Sequence, residues 1–361
     1  MNAQATATRL EGFDLARGFA IFGMTLVHFI LVMTQHTPPA EWSTHLLAVL
    51  DGRPAAMFVM LAGMGVTLMV SKAAAAGDAP GTLDRRLRRR GIFLLLCGFL
   101  NLAIWPGDIL RVYGVSLFLA PWFVRQRSSR LLLCVAGFVM VFIVLLCTID
   151  YETYWDWSTM TYHHLWTVKG LLRSLFYDGF RSVFPWTGLL LLGVWLGRWD
   201  WRERSTAWCA VKWGLLVMTG SWIVSHVILD WFSENPQPDL SQEDAVALFG
   251  LISMPPLPLF LLNAGGFALL AIGSCCLAVA RWPGSRLLKA VSSVGRLAFT
   301  WYVGHIVLGL GAVDALGLTS VSPVLALATG VGFLLLASLS SVWLLRRFRT
   351  GPLEWMLRRV G

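Results

Sequence analysis

Apolar runs, most of them long enough to cross a bilayer as a helix, alternate along the chain with short polar stretches. They fall at 12–34, 54–72, 91–105, 109–124, 131–149, 182–197, 207–231, 258–280, 291–313 and 321–345. An α-helix rises 1.5 Å per residue, so about 20 apolar residues cover the roughly 30 Å hydrocarbon core. Lipid offers no water to bond an exposed peptide group, and a helix satisfies its own backbone. The pattern predicts an all-α, polytopic membrane protein of about ten transmembrane helices in one bundle. The third and fourth runs are short and meet at Trp105-Pro106-Gly107-Asp108, which predicts a tight turn with an aromatic anchor at the interface. Two longer polar segments, 150–181 and 232–257, fall on the outer side of this arrangement.

Composition agrees. Hydrophobic residues make up 57% of the chain and charged residues 14%, against about 25% charged in soluble domains. With spans of this length, 1–361 is filled by one membrane domain and leaves no room for a separate soluble one. The net charge is +9, but its placement excludes a nucleic-acid surface. The basic residues cluster at Arg85–Arg90, Arg125–Arg130, Arg198–Arg204, Arg281–Lys289 and Arg346–Arg349, after every second run. That is the positive-inside distribution, and it puts both termini in the cytoplasm. The 18 tryptophans sit mostly near run ends, as interfacial belts do. All six cysteines lie within runs and none forms a metal-binding spacing, so packing is their expected role and no metal is expected. The first run carries Asp14 and Arg17 and lacks a small-residue cleavage site, which is not the pattern of a cleavable signal peptide. The tail 351–359 predicts a short interfacial helix anchored by Trp355 and arginines.

Ionisable groups inside spans are costly and are therefore candidate functional residues. In the first run, Arg17 and His28 are eleven residues apart. Three helical turns plus about 20° put them on one face, about 16 Å apart along the axis. A cation at the inner end of a helix face and an imidazole deep within suit a tunnel with an anion at its mouth. Asp14 and Arg17 equally suit a local i,i+3 pair. Asp51, ahead of the second run, either caps a helix N-terminus or orients a histidine at the same depth. Asp178 and Arg181, ahead of the sixth run, are substrate-binding candidates and are equally spaced to pair with each other. Arg296 and His305 are nine residues apart, 180° around a continuous helix, and so do not share a face. His305, with Trp301 and Tyr302, either lines a sugar-sized cavity or is a satisfied core histidine, and Asn263 is a weaker substrate-binding candidate. The chain has no P-loop, HExxH, Asp-rich diphosphate motif or GxSxG elbow.

Several stretches resemble one family. Arg9-Leu-Glu-Gly-Phe-Asp14-Leu-Ala-Arg17-Gly-Phe-Ala-Ile is similar to the opening of the heparan-α-glucosaminide N-acetyltransferase family and of the bacterial YeiB-like membrane proteins. The Arg17-x10-His28 spacing resembles the first core helix of the acyltransferase-3 proteins. Phe184–Gly197, Gly295–His305 and Gly351-Pro-Leu-Glu-Trp355 continue the likeness in the same order, the portion 182–361 being the YeiB-like part. The resemblance implies a membrane acyltransferase of the bacterial inner membrane, moving an acetyl or other short acyl group from cytoplasmic acyl-CoA. The acceptor would be a hydroxyl or amine of a sugar or small molecule on the far side, and a homodimer is compatible with it. Arg17 would hold the donor, with Arg296 and Arg90 near its phosphates, and His28 would be the catalytic histidine supported by Asp51. The heparan-acetylating branch carries Asn at the place of His28 and its histidine in the following loop, where this chain has His36 and His45. A transporter of a small anionic or glycosylated solute would use the same buried charges without covalent chemistry. The chain shows no strong internal repeat in support of it.

Overall fold

The computed structural model describes residues 10–79, 81–157 and 161–361. Arg9, which opens the first family-like motif, lies outside them. Helices α1 (Glu11–Met33), α2 (Glu41–Leu50), α3 (Arg53–Ala76), α4 (Thr82–Asn101), α5 (Leu110–Phe123) and α6 (Ser128–Thr148) form the first half. A two-stranded antiparallel hairpin follows, β1 (Trp155–Asp156) with β2 (Thr161–Tyr162), then α7 (Val168–Arg173) and a π-turn at Ser174–Asp178. The second half holds α8 (Val183–Leu196), α9 (Arg204–Glu234), α10 (Gln242–Phe249), α11 (Pro258–Arg281) and α12 (Arg286–Arg296). It continues through α13 (Ala298–Gly304), a π-turn at His305–Leu310, α14 (Gly311–Ala315), α15 (Pro323–Phe348) and α16 (Pro352–Val360).

Among the described residues, seven helices are long and apolar enough to cross a membrane, or eight if the bent pair Val168–Asp178 and Val183–Leu196 is one span. The protein is a multi-pass membrane protein. Two of the ten expected spans fall short of that standard. α5 has 14 residues, about 21 Å of helix against a core of about 30 Å. α4 begins at Thr82 and carries the Arg85–Arg90 cluster within its first half. The run 291–313 is also not one helix. Leu297 leaves helical geometry at φ −108° and ψ 31°, and a π-turn follows at His305.

α1 is the central element, packed on α3, α11, α12 and α15. Small residues let it approach α12: a side chain on Gly18 would strike Val291 and one on Gly295 would strike the Asp14 carbonyl. In α3, Gly63 meets the backbone of α8, whereas Gly65 faces open space. α6 and α9 bury only 11% of their apolar windows, so both turn most of their side chains outward toward lipid.

The basic clusters gather at one end. Arg125 donates to Asp84 at 2.7 and 3.0 Å, and Arg198 donates to the carbonyls of Val124 and Gln126. Arg90 donates to the Gly361 carbonyl at 3.0 Å, bringing α16 to the same end. Below, this is the basic face and the opposite end is the far face.

Candidate functional site

Near the far-face end of α1, the half-buried His28 lines a small, half-open space of about 30 Å³ with Met24, Gly52, Gly107, Arg181 and Tyr302, roughly room for one water. His28 Nδ1 lies 2.9 Å from Nε2 of His305, 277 residues away in sequence, and the rings stack with centroids 5.1 Å apart. Trp105 covers the His28 ring at 4.7 Å. The π-turn presents His305 here, fully buried, and its Nδ1 lies 3.2 Å from the Trp301 carbonyl.

Those contacts assign the tautomers. A carbonyl can only accept, so His305 Nδ1 carries its proton and Nε2 its lone pair. His28 Nδ1 must then donate to that lone pair. His28 Nε2 is left with a free lone pair beside the cavity, the arrangement a general base or nucleophile needs.

Asp51 does not orient His28. Its carboxylate accepts from the Ser253 amide at 2.8 Å and the Ser253 hydroxyl at 2.6 Å, and it acts on Arg181 as an opposing charge. Gly52 makes the approach possible, since it holds φ +63° and a side chain there would meet Phe260 and Ser253. The orienting partner of His28 is His305. Arg181 reaches the cavity, donates to the Phe180 carbonyl at 2.6 Å and lies over the Trp186 ring at 4.7 Å.

A second buried group stands behind the pair: Tyr302, which the sequence places beside His305, and Asp108, which the sequence does not single out as a site residue. Tyr302 packs edge-on against His305, takes the Ile109 amide at 2.9 Å and donates to Asp108 at 3.2 Å. Asp108 also accepts from Asn101 and from the Arg111 amide, each at 3.2 Å. Burial pushes the Asp108 carboxyl up to about 6 against the opposing pull of Arg111 and these hydrogen bonds. A polar residue in a predicted turn gave no signal that it would be buried.

Other sequence candidates lie elsewhere. Asp178 is not paired with Arg181: its carboxylate accepts from Arg173 and from the Tyr162 hydroxyl at 2.6 Å, which ties the hairpin to the π-turn. Asn263 is committed to packing: it accepts from Arg53 Nε at 2.9 Å and donates to the Met218 carbonyl at 2.9 Å and the Ser221 hydroxyl at 3.2 Å. Trp301 donates to Ser341 of α15 at 2.6 Å, so its indole faces that helix and not the cavity. His36 and His45 are exposed, and His45 lies 3.8 Å from Glu41 one turn earlier. The 180° separation of Arg296 and His305 assumed an unbroken helix, and the break at Leu297 removes that premise.

At the basic face, a cleft of about 400 Å³ is lined by Asp14, Lys289, Arg296 and Arg346, with Ser292 and Ser293. Arg17 donates to Asp14 at 2.6 Å, which places it behind this cleft. Arg90 belongs to a different neighbourhood, held by the Gly361 carbonyl and the Met69 sulfur at 3.3 Å.

Comparison with known proteins gives this arrangement a context. The chain resembles the uncharacterized protein YeiB of Escherichia coli, 26% identical over 96% of this chain and 94% of that protein. It also resembles an uncharacterized 39.9 kDa protein from the amylase 3' region of Bacillus acidopullulyticus, 22% identical over 100% of this chain and 96% of the other. Residues 196–361 match a family described as a protein of unknown function (DUF418). Residues 9–236, which hold His28, Asp51 and Arg181, match the family described as heparan-alpha-glucosaminide N-acetyltransferase, catalytic. The chain belongs to that acetyltransferase family.

Proposed function

We propose that this protein is a membrane acyltransferase that moves an acetyl or other short acyl group from acyl-CoA, bound from the cytoplasmic basic face, to a sugar or amine-bearing acceptor at the far face. In a bacterium the membrane would be the inner one. The observation that carries the reading is the His28–His305 pair, which leaves the lone pair of His28 Nε2 at the edge of a cavity deep in the bundle. In this reaction Nε2 takes the proton from the acceptor hydroxyl or amine as that group attacks the thioester carbonyl carbon. The carbon–sulfur bond then breaks, and the CoA sulfur leaves with the proton returned from His28. Transfer by way of an acyl group on His28 would use the same lone pair. Lys289, Arg296 and Arg346 at the basic cleft, with Arg17 behind Asp14, suit the donor phosphates. Arg181 is the cation nearest the developing negative oxygen.

The test is thermal-shift titration of acetyl-CoA on purified protein in nanodiscs. Saturable stabilisation, weakened in Arg296→Ala and retained in His28→Ala, supports a donor site separate from the catalytic imidazole. Absence of stabilisation by any acyl-CoA would overturn the reading and favour solute transport through the same buried charges.

A further inference from the structure

The space at His28 holds about one water, yet an acyl acceptor must reach Nε2. What bounds it on one side is the turn between α4 and α5. Trp105 lies over the His28 ring at 4.7 Å and stacks toward Phe180 at 6.4 Å, while Gly107 and Ile109 form part of the cavity wall itself. The other side of the same turn, at Leu102, Ala103, Ile104 and Pro106, borders an open groove of about 580 Å³ against the segment Thr161–Thr167. Trp166 in that groove is 63% exposed. One turn of chain therefore separates the small space at His28 from a groove large enough for a small-molecule ligand.

The Trp105 side chain is not fixed there by a polar bond. Its indole N–H is buried and has no acceptor among the described residues. It lies so close to Gly107 that a methyl group on that glycine would come within 2.7 Å of the indole nitrogen. Gly107 thus permits the closed position, and any side chain at 107 opposes it. The far end of the turn is anchored: Asp108 is fully buried and bonded to Asn101, Tyr302 and the Arg111 amide. A cover held by packing at one end and by hydrogen bonds at the other can move at the first without disturbing the second.

We infer that Trp105 is the removable partition between His28 and the far-face groove, and that an acceptor approaches Nε2 from that groove by displacing it. The identity of the ligand as an acyl acceptor rests on the function proposed above; the partition itself does not.

The experiment reads access to position 28 without any acyl-CoA. A His28→Cys variant is reconstituted in sided proteoliposomes and treated from either side with a membrane-impermeant maleimide. Mass spectrometry of the peptide spanning position 28 gives the labelling rate, so the six native cysteines do not interfere. Slow labelling with Trp105 present, rising at least tenfold from the far side in His28→Cys/Trp105→Ala, is the expected result. Should Trp105→Ala fail to fold, Gly107→Val crowds the indole out of place and carries the same expectation. Equal rates with and without Trp105, or a rise seen only from the basic face, would overturn the inference. Failure of acetyl-CoA to bind would overturn the acyltransferase reading and leave this result standing.

Discussion

Two buried polar clusters lie toward the far face, and only one leaves a lone pair facing a cavity. In the first, Arg53, Asn263 and Ser221 join α3, α9 and α11: Asn263 accepts one hydrogen bond and donates two, and Arg53 also donates to the Ala48 carbonyl at 2.8 Å. In the second, His28 and His305 share one hydrogen bond, His305 spends its remaining proton on the Trp301 carbonyl, and His28 keeps one lone pair facing a cavity. Both would be flagged by the expense of polar groups inside a membrane. Counting donors and acceptors separates them, because a group with every bond made holds the bundle together and a group with one left over can do chemistry.

Substitutions should break the two clusters in different currencies. His28→Ala is expected to lower acyl transfer by about 10²–10⁴-fold, the usual worth of a positioned general base, with the melting temperature in nanodiscs nearly unchanged. His305→Ala removes the group that orients His28 and should cost about 10²-fold, the scale of a small misplacement; a loss equal to that of His28→Ala would make His305 a full chemical partner. Asn263→Ala leaves the Arg53 guanidinium buried beside an unmet donor. It should destabilise by about 2–4 kcal/mol in chemical denaturation and leave the turnover of folded protein intact.

Asp108 sharpens the contrast from a third position, since it is bonded on all sides and still titratable. Its folded carboxyl lies near 6, against 3.8 for an unperturbed aspartate. Between those values the folded state holds more protons than the unfolded state, so its contribution to stability falls as pH rises from about 4 to 6. The difference between wild type and Asp108→Asn should therefore change by about 2–3 kcal/mol across that window and be flat above it. Unfolding curves at pH 4, 5, 6 and 7 give the comparison, and a constant difference would place Asp108 outside the titration.

Most of the helical architecture was legible in the chain. Hydropathy located the helices because lipid demands long apolar segments, and the spacing of Arg17 and His28 put both on one side of α1, a helix without interruption. Pairings across the bundle were not legible. His28 meets His305 because α1 packs on α13 and the π-turn, and no local spacing encodes that. The Arg296–His305 geometry failed for a related reason: helical arithmetic holds only while the helix does, and this one breaks at Leu297. Asp178 and Arg181 had the right spacing for a pair, but the hairpin brought Tyr162 and α7 brought Arg173 to the carboxylate first. Its place in the turn suggests Trp105 as an interfacial anchor; the fold also packs it on His28, a role set by the turn's hydrogen bonds to Tyr302.

The most direct test of the central claim is the release of free CoA thiol from acetyl-CoA, followed over time in nanodiscs with a panel of amino-sugar and hydroxyl acceptors, for wild type and His28→Gln. Acceptor-dependent release by wild type, lost in His28→Gln while acetyl-CoA still binds, is the expected result. Acceptor-dependent release that persists undiminished in His28→Gln would contradict it.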